Sequence, residues 1–241
     1  MSTEPKPRIA VLVFPGSNDD RDAALALERL GAEPTLVWHA EPELPNVGAV
    51  VLPGGFSYGD YLRCGAIARF APVMEAVRRL ADRGGLVLGI CNGFQVLCEA
   101  GLLPGALRPN ASLEFVCRDV ALRLERADTP FTSRCEAGQT LTIPIKHGAG
   151  CYFADDELLH ELERNRQVVL RYEQNPNGSV AAIAGVTNER GNVFGLMPHP
   201  EHAVDPLTGS ADGLKLFESV AVERAGGVSP RLAVSSGQAR A

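Results

Sequence analysis

Residues 84–101 read GGLVLGICNGFQVLCEAG and decide the fold. The segment Leu86–Ile90 is a short apolar run that begins after two glycines, which is typical of a strand buried on both faces. Residues 92–100 then carry apolar side chains at helical spacing, and Gly101 provides a favourable helix stop. A buried strand that leads directly into a helix predicts an α/β protein.

Cys91 lies at the junction of the predicted strand and helix, within Gly89-Ile90-Cys91-Asn92-Gly93. This G-x-C-x-G pattern matches the nucleophile elbow, with a thiol in place of the serine hydroxyl. The flanking glycines allow a sharp backbone turn. The unpaired N–H groups and the positive dipole at the start of the helix favour the thiolate form. A buried structural cysteine is the competing interpretation, and the surrounding pattern favours a nucleophile over it.

Strands and helices alternate through the first half of the chain. Apolar runs predict strands over 9–14 and Ala49–Leu52, and the acids and apolar residues of 19–30 predict a helix. The apolar residues spaced over 67–80 predict one further helix. This alternation predicts a doubly wound, largely parallel sheet flanked by helices.

The second half has a different pattern. Apolar and polar residues alternate over 120–124 and 141–145, which predicts half-exposed strands that can pair antiparallel. Further strands are predicted over 167–172, 180–186 and 192–197. The sheet is therefore predicted to be mixed. Residues 1–225 are predicted to form a single domain, and the small, polar residues of 226–241 a disordered tail.

Charge and composition exclude several classes of protein. The formal net charge of −6 predicts no affinity for nucleic acid or anionic membranes. The chain has neither a membrane-spanning apolar run nor a signal peptide at its start, so a cytoplasmic location is expected. None of the six cysteines forms a C-x-x-C pair and no P-loop occurs, so neither a metal nor a cofactor is predicted on this chain.

A cysteine nucleophile needs a base and a group that orients the base. His199 follows a predicted strand, lies between Pro198 and Pro200, and is followed by Glu201. Because prolines favour extended backbone, in which residues two apart point to the same side, Glu201 is predicted beside one ring nitrogen of His199. The other nitrogen would then face the thiol of Cys91. Two histidines remain as competing bases, His147 and His202.

Acyl chemistry also needs donors for a developing oxyanion. The backbone N–H of Asn92 is one candidate, because it directly follows the predicted nucleophile. The backbone of Gly54 or Gly55 is another, because glycine allows close approach and the pair ends a predicted strand. Parallel sheets bind ligands beyond the carboxyl ends of their strands, where these residues and Cys91 are expected to meet.

Several stretches resemble the class I glutamine amidotransferases, whose triad has the chain order cysteine, histidine, glutamate. Within that class they are similar to the family of small glutaminase subunits of phosphoribosylformylglycinamidine synthase. The stretches that carry this resemblance are 14–18, 53–68, 90–95, 175–179 and 197–201.

The resemblance implies the nucleophile, base and orienting roles for Cys91, His199 and Glu201. It also implies glutamine contacts from Gln95 and from the Gly54-Gly55 loop. Glutamine would be hydrolysed through a thioester, and the ammonia would pass to a separate synthetase subunit. That partner would use ATP and magnesium to convert formylglycinamide ribonucleotide to the amidine in purine synthesis, together with a small accessory subunit.

Two positions depart from the family pattern. Asp19 stands where the family commonly has cysteine, and Ala149 where it commonly has glutamate, and neither is expected to touch the triad. Residues 56–63, which carry three aromatic side chains and an arginine, can form an interface with the partner or only shape the glutamine pocket.

Two other functions are weighed against this one. A cysteine hydrolase of the related α/β superfamily would lack the Pro-His-Pro-Glu unit. A non-catalytic scaffold subunit would not need an intact cysteine, histidine and glutamate.

Overall fold

The computed structural model describes residues 6–225. Within this range the α-helices are α1 (Asp20–Arg29), α2 (Val73–Asp82), α3 (Asn92–Glu99), α4 (Asp156–Arg164) and α5 (Leu214–Ala225). The strands are β1 (Arg8–Val13), β2 (Glu33–Trp38), β3 (Ala49–Leu52), β4 (Leu86–Ile90), β5 (Ala106–Arg108), β6 (Val116–Leu124), β7 (Thr140–His147), β8 (Cys151–Phe153), β9 (Val168–Tyr172), β10 (Ile183–Thr187) and β11 (Val193–Leu196).

Nine of these strands form one mixed sheet in the order β2-β1-β3-β4-β11-β10-β9-β6-β7. The pairs from β2 to β11 are parallel. The pairs from β11 to β7 are antiparallel. The predictions of a largely parallel mixed sheet and of antiparallel strands in the second half are therefore confirmed. None of the helices in residues 6–225 is long and apolar enough to cross a membrane.

The centre of the sheet is the core of the molecule. Every residue of β3 and of β4 is buried, as expected for parallel strands covered on both faces. The strand β4 lies between β3 and β11, with Ile90 in register with Leu196. The carboxyl ends of β4 and β11 therefore meet at one edge of the sheet.

The prediction of a single helix over 67–80 is wrong. A short 3-10 turn covers Ala68–Phe70, and α2 begins only at Val73, after Pro72. Because proline disfavours helical backbone in the residue before it, Ala71 is extended, with φ −61° and ψ 140°. The side chain of Phe70 is 73% exposed instead of packing on the core face.

Two smaller differences concern short segments. The three-residue strands β5 and β8 form a separate two-stranded sheet that the sequence pattern did not predict. A 3-10 turn over Val180–Ala182 replaces the first part of the strand predicted over 180–186. The single-domain assignment of 1–225 stays a prediction, and the predicted tail, 226–241, lies outside the described residues.

The turn between β4 and α3 is built on direct backbone packing. A Cβ atom at Gly93 would collide with the carbonyl of Leu52 in β3, and one at Gly89 would lie 2.8 Å from the carbonyl carbon of Gly93. The left-handed residue is Cys91 itself, with φ 50° and ψ −103°. The two glycines thus allow the close approach of helix and strands, while the cysteine carries the backbone strain.

We expect Gly93→Ala to lower the free energy of unfolding by about 1–3 kcal/mol. The reason is that the carbonyl of Leu52 belongs to a buried strand and cannot move aside. Urea denaturation measures this change. Gly148→Ala is the matched control, since a Cβ there would lie 3.7 Å from Phe115, an ordinary contact. Equal stability of the two variants would show that the Gly93 contact does not constrain the elbow.

Candidate active site

Cys91 is held at the carboxyl edge of the sheet by the main chain. Its N–H donates to the carbonyl of Leu196 in β11 at 2.8 Å. The residue is only 5% exposed, and its Sγ lies 3.9 Å from the carbonyl oxygen of Lys146. The thiol is therefore fixed between the ends of three strands, β4, β11 and β7.

The structure brings His199 and Glu201 together beside Cys91. The Nδ1 atom of His199 lies 2.6 Å from Oε1 of Glu201, and both side chains are almost fully buried. The extended backbone predicted for this segment is wrong, because Pro200–His202 forms a 3-10 turn. The N–H of His199 donates to the carbonyl of Pro144 at 2.8 Å, which ties this turn to β7.

Charges around His199 favour the imidazolium. Burial by itself lowers the pKa of His199, but its interactions with Glu201 and Cys91 raise it well above its usual value. A histidine that keeps its proton in this position can give it to a leaving group.

A cavity of about 150 Å³ opens beside Cys91. Its walls come from the loop after β3, from α3 and from the end of β7, and they include Gly55, Phe56, Cys64, Gln95, Lys146 and Ala149. Burial, then the charge and hydrogen bond of Asp60, raise the pKa of Cys64 to about 12, with the nearby Cys91 adding to the effect. Of the two cysteines in this cavity, Cys64 therefore stays a thiol.

The predicted substrate residues Asn92 and Gln95 link three parts of the cavity wall. The amide oxygen of Asn92 accepts from the N–H of Ser57 at 3.1 Å, and its NH2 donates to Gln95 at 2.9 Å. Gln95 in turn donates to the carbonyl of Ala149 at 2.7 Å. Ala149 thus contributes to the cavity through its main chain.

The predicted oxyanion residues Gly54 and Gly55 pack against the loop before α1. The carbonyl of Gly54 accepts from the N–H of Asn18 at 3.2 Å, and the N–H of Phe56 donates to the carbonyl of Gly16 at 2.8 Å. Gly55 has φ +143°, which favours glycine, and a Cβ at Gly54 would meet the ring of His199. These contacts set the main chain of Gly54 and Gly55 beside the candidate triad.

His147, a competing base, is held in a network of neutral amides. Its Nδ1 lies 3.0 Å from the amide oxygen of Asn110, and its Nε2 lies 3.5 Å from the NH2 of Asn177. Burial first, and then the charge of His199, lower the pKa of His147 to about 4. Neutral and bonded on both nitrogens, this ring orders the loop after β7, and its nitrogens are not free to take a proton from Cys91.

His202, the other competing base, faces a buried carboxylate. Its Nε2 lies 3.1 Å from Oδ1 of Asp19 and 2.9 Å from Nζ of Lys146. The same Asp19 extends Oδ2 to within 3.5 Å of Nδ1 of His199. The expectation that Asp19 would not touch the triad is therefore wrong.

The side chains around Asp19 lie close together, and a positive charge already among them argues against a metal ion. Among the described residues, Asp19, His199, Glu201 and His202 each offer one ligand atom within 4.8 Å of the others. The ammonium of Lys146, 2.5 Å from Asp19, already supplies a positive charge there.

Comparisons with known proteins show the family to which the chain is similar. Residues 6–219 match the model of the CobB/CobQ-like glutamine amidotransferase domain. A phosphoribosylformylglycinamidine synthase subunit PurQ from Gloeobacter violaceus is 59% identical over 223 residues, with 88% of this chain and 96% of the relative covered. The PurQ subunit from Rubrobacter xylanophilus is 62% identical over 213 residues, with 88% and 97% covered.

The chain belongs to the PurQ family of glutamine amidotransferases. A solved relative, the structure of PurLQS from Thermotoga maritima, superposes with a TM-score of 0.83 at 51% identity, over 90% of this chain and 98% of that chain. The family resemblance and the fold class expected from the sequence are thereby confirmed.

Some residues at this PurQ-family site were not predicted from the sequence. Lys146 and Asp19 lie far apart in the chain, and only the sheet topology brings them together. Asn110 was likewise not predicted, because nothing in its local sequence indicates that it bonds a histidine in β7. Tyr58, Asp60 and Leu62, with φ of 54°, 55° and 68°, give the loop after Gly55 a left-handed course that no sequence pattern signals.

The depressed pKa of His147 predicts a loss of stability in acid. The unfolded histidine binds a proton near its ordinary value of 6.5, whereas the folded one does so only near 4, so stability is complete above 6.5 and declines as the pH falls towards 4. Between pH 7 and pH 5 this group should remove about 2 kcal/mol from the free energy of unfolding.

Urea denaturation at both pH values measures this loss, and His147→Gln, which does not titrate, should reduce it. His160→Gln is the matched control, because His160 is exposed on α4. The assignment is contradicted if both variants keep the same acid sensitivity as the natural chain.

Proposed function

We propose that Cys91 hydrolyses the side-chain amide of glutamine, with His199 as acid and base and Glu201 as the group that orients it. As a PurQ-family glutamine amidotransferase, the chain supplies ammonia to the synthetase subunit of phosphoribosylformylglycinamidine synthase in purine biosynthesis. The observation that carries the residue roles is the buried Cys91 at a left-handed turn, beside a histidine bonded to a carboxylate at 2.6 Å.

The reaction has two halves. The thiolate of Cys91 attacks the amide carbon, and the N–H groups of Asn92 and of Gly54 or Gly55 stabilise the oxyanion. The imidazolium of His199 gives its proton to the nitrogen as the C–N bond breaks, which leaves a thioester and ammonia. The neutral imidazole then takes a proton from water, which attacks the thioester and releases glutamate.

Substrate contacts are proposed from the cavity walls. Gln95 lines the cavity and is held by Asn92 and by the carbonyl of Ala149, so its position relative to Cys91 is fixed before glutamine enters. A fixed wall favours a single orientation of the amide next to the thiolate.

The partner and its cofactors belong to the same proposal. The solved relative from Thermotoga maritima is a PurLQS assembly, which supports a complex of this chain with a synthetase and a small accessory subunit. ATP and magnesium would bind the synthetase, and the complex would work in the cytoplasm.

Exposed apolar side chains near the cavity support a docking role for residues 56–63. Tyr61 is 74% exposed and Leu62 is 88% exposed. Phe56 and Phe115 are also exposed at the cavity wall, with their ring centroids 6.4 Å apart. A partner that covers these side chains would bury apolar surface directly beside the site where ammonia is released.

We expect Cys91→Ala to abolish glutamine-dependent synthesis by the assembled enzyme and to leave synthesis from free ammonium unchanged, because only the glutaminase step uses the thiolate. Parallel assays with glutamine and with ammonium measure both activities. Cys117→Ala, at an exposed cysteine, is the control and should retain both. Equal loss of both activities in Cys91→Ala would mean that this cysteine only supports the fold.

We expect His199→Ala to reduce glutamine-dependent kcat nearly as much as Cys91→Ala, and Glu201→Gln to reduce it less. Residues that act as one unit are not additive, and the orienting group commonly contributes least. Steady-state kinetics of the assembled enzyme measure the order. A larger loss in His147→Ala or His202→Ala than in His199→Ala would identify a different base.

A further inference from the structure

Asp19 is a buried carboxylate in contact with the candidate triad, and the mechanism above does not use it. The residue is 2% exposed and stands at the N-cap position of α1. An aspartate there usually accepts a hydrogen bond from the first turn of its helix. The side chain of Asp19 makes no such bond and points instead towards the end of the sheet, to Lys146, His199 and His202.

The two oxygens of Asp19 have different surroundings. Oδ1 accepts from the ammonium of Lys146 at 2.5 Å and lies 3.1 Å from Nε2 of His202. Oδ2 is buried and has no hydrogen-bond partner among the described residues. Its close neighbour is Nδ1 of His199 at 3.5 Å, too long for a good hydrogen bond but close enough for a strong charge interaction.

We propose that Asp19 is a positioning residue that acts on His199 as a second carboxylate, behind the same ring nitrogen that Glu201 binds. Glu201 takes the hydrogen bond from Nδ1 and fixes the ring. Asp19 adds negative charge and so stabilises the imidazolium that gives its proton to the leaving ammonia. This inference rests on the proposed role of His199.

Lys146 and His202 hold this second carboxylate in place. An isolated carboxylate would be costly to bury, and the ammonium of Lys146 compensates its charge. The carbonyl of the same Lys146 lies 3.9 Å from Sγ of Cys91. The end of β7 therefore contacts the nucleophile with its main chain and the second carboxylate with its side chain.

The other charged and titratable groups around His199 bear on its protonation as well. Glu201 and His202 belong to the same turn as His199, Cys91 to the elbow, and Lys146 and His147 to the end of β7. The test must therefore separate the charge of Asp19 from these.

The test compares Asp19→Asn with the natural chain. The amide keeps the size of the side chain and removes its charge, so the imidazolium of His199 loses a stabilising neighbour while Lys146 stays positive. An opposite charge within about 4–6 Å commonly changes a pKa by about one pH unit or more. In Asp19→Asn, the alkaline limb of the pH profile of glutamine-dependent kcat should therefore move to lower pH by about one unit. NMR titration of the His199 ring in the full chain, labelled with 15N-histidine, should show a downward change of the same size.

Two further variants make the test specific. Lys146→Met leaves the charge of Asp19 uncompensated and should move the alkaline limb and the His199 titration upwards, the opposite direction. This variant also keeps the inference testable if Asp19→Asn does not fold. Asp22→Asn removes the same charge from α1 three residues further on and should move neither.

Three outcomes would overturn the inference. They are an unchanged His199 titration in Asp19→Asn, a loss of activity in that variant with the pH profile unmoved, and a downward change in Lys146→Met. Failure of the proposed function would be seen separately. A Cys91→Ala enzyme that still uses glutamine refutes the nucleophile, whereas the effect of Asp19→Asn on the titration of His199 is measured in chains that keep Cys91.

Discussion

The contact on which the site depends is between backbones, where α3 begins directly against the ends of β3 and β4. Side chains at positions 89 and 93 would push helix and sheet apart, and glycine at both lets the carbonyl of Leu52 touch the first turn of α3. The chain leaves β4 and enters α3 through a residue with positive φ, and that residue is Cys91. Strain at the nucleophile is thus maintained by the packing of the whole sheet.

Around this turn, the site is assembled from both halves of the chain. The parallel half supplies Cys91, the glycines after β3 and Asp19. The antiparallel half supplies Lys146 and His147 from β7, and β11 joins the two halves through its parallel pairing with β4 and its antiparallel pairing with β10. Where the two halves meet, Lys146 lies within hydrogen-bond distance of Asp19, and His199 within hydrogen-bond distance of Glu201. Buried charges require such partners.

The features that could be predicted from the sequence are those that a local pattern encodes. The central strands and the elbow follow from apolar runs and glycines, and Glu201 stands only two residues from His199. Features that depend on long-range contacts were not predictable in this way. Asp19 and Lys146 are 127 positions apart, so their ion pair follows from sheet order alone. The helix predicted across Pro72 failed for a local reason. The prediction followed the apolar spacing, whereas proline keeps the preceding residue, Ala71, extended.

The register of β4 and β11 has a mechanical consequence. Ile90 pairs with Leu196 in the hydrogen-bonded ladder, and Cys91 and His199 follow these residues by one and by three positions. Neighbouring strands keep a separation of about 4.8 Å that main-chain hydrogen bonds determine and side-chain packing hardly alters. A shift of the outer helices on binding another protein is therefore expected to leave the distance between the two strand ends unchanged. The sheet therefore fixes the spacing of the two main-chain segments that carry the thiol and the imidazole.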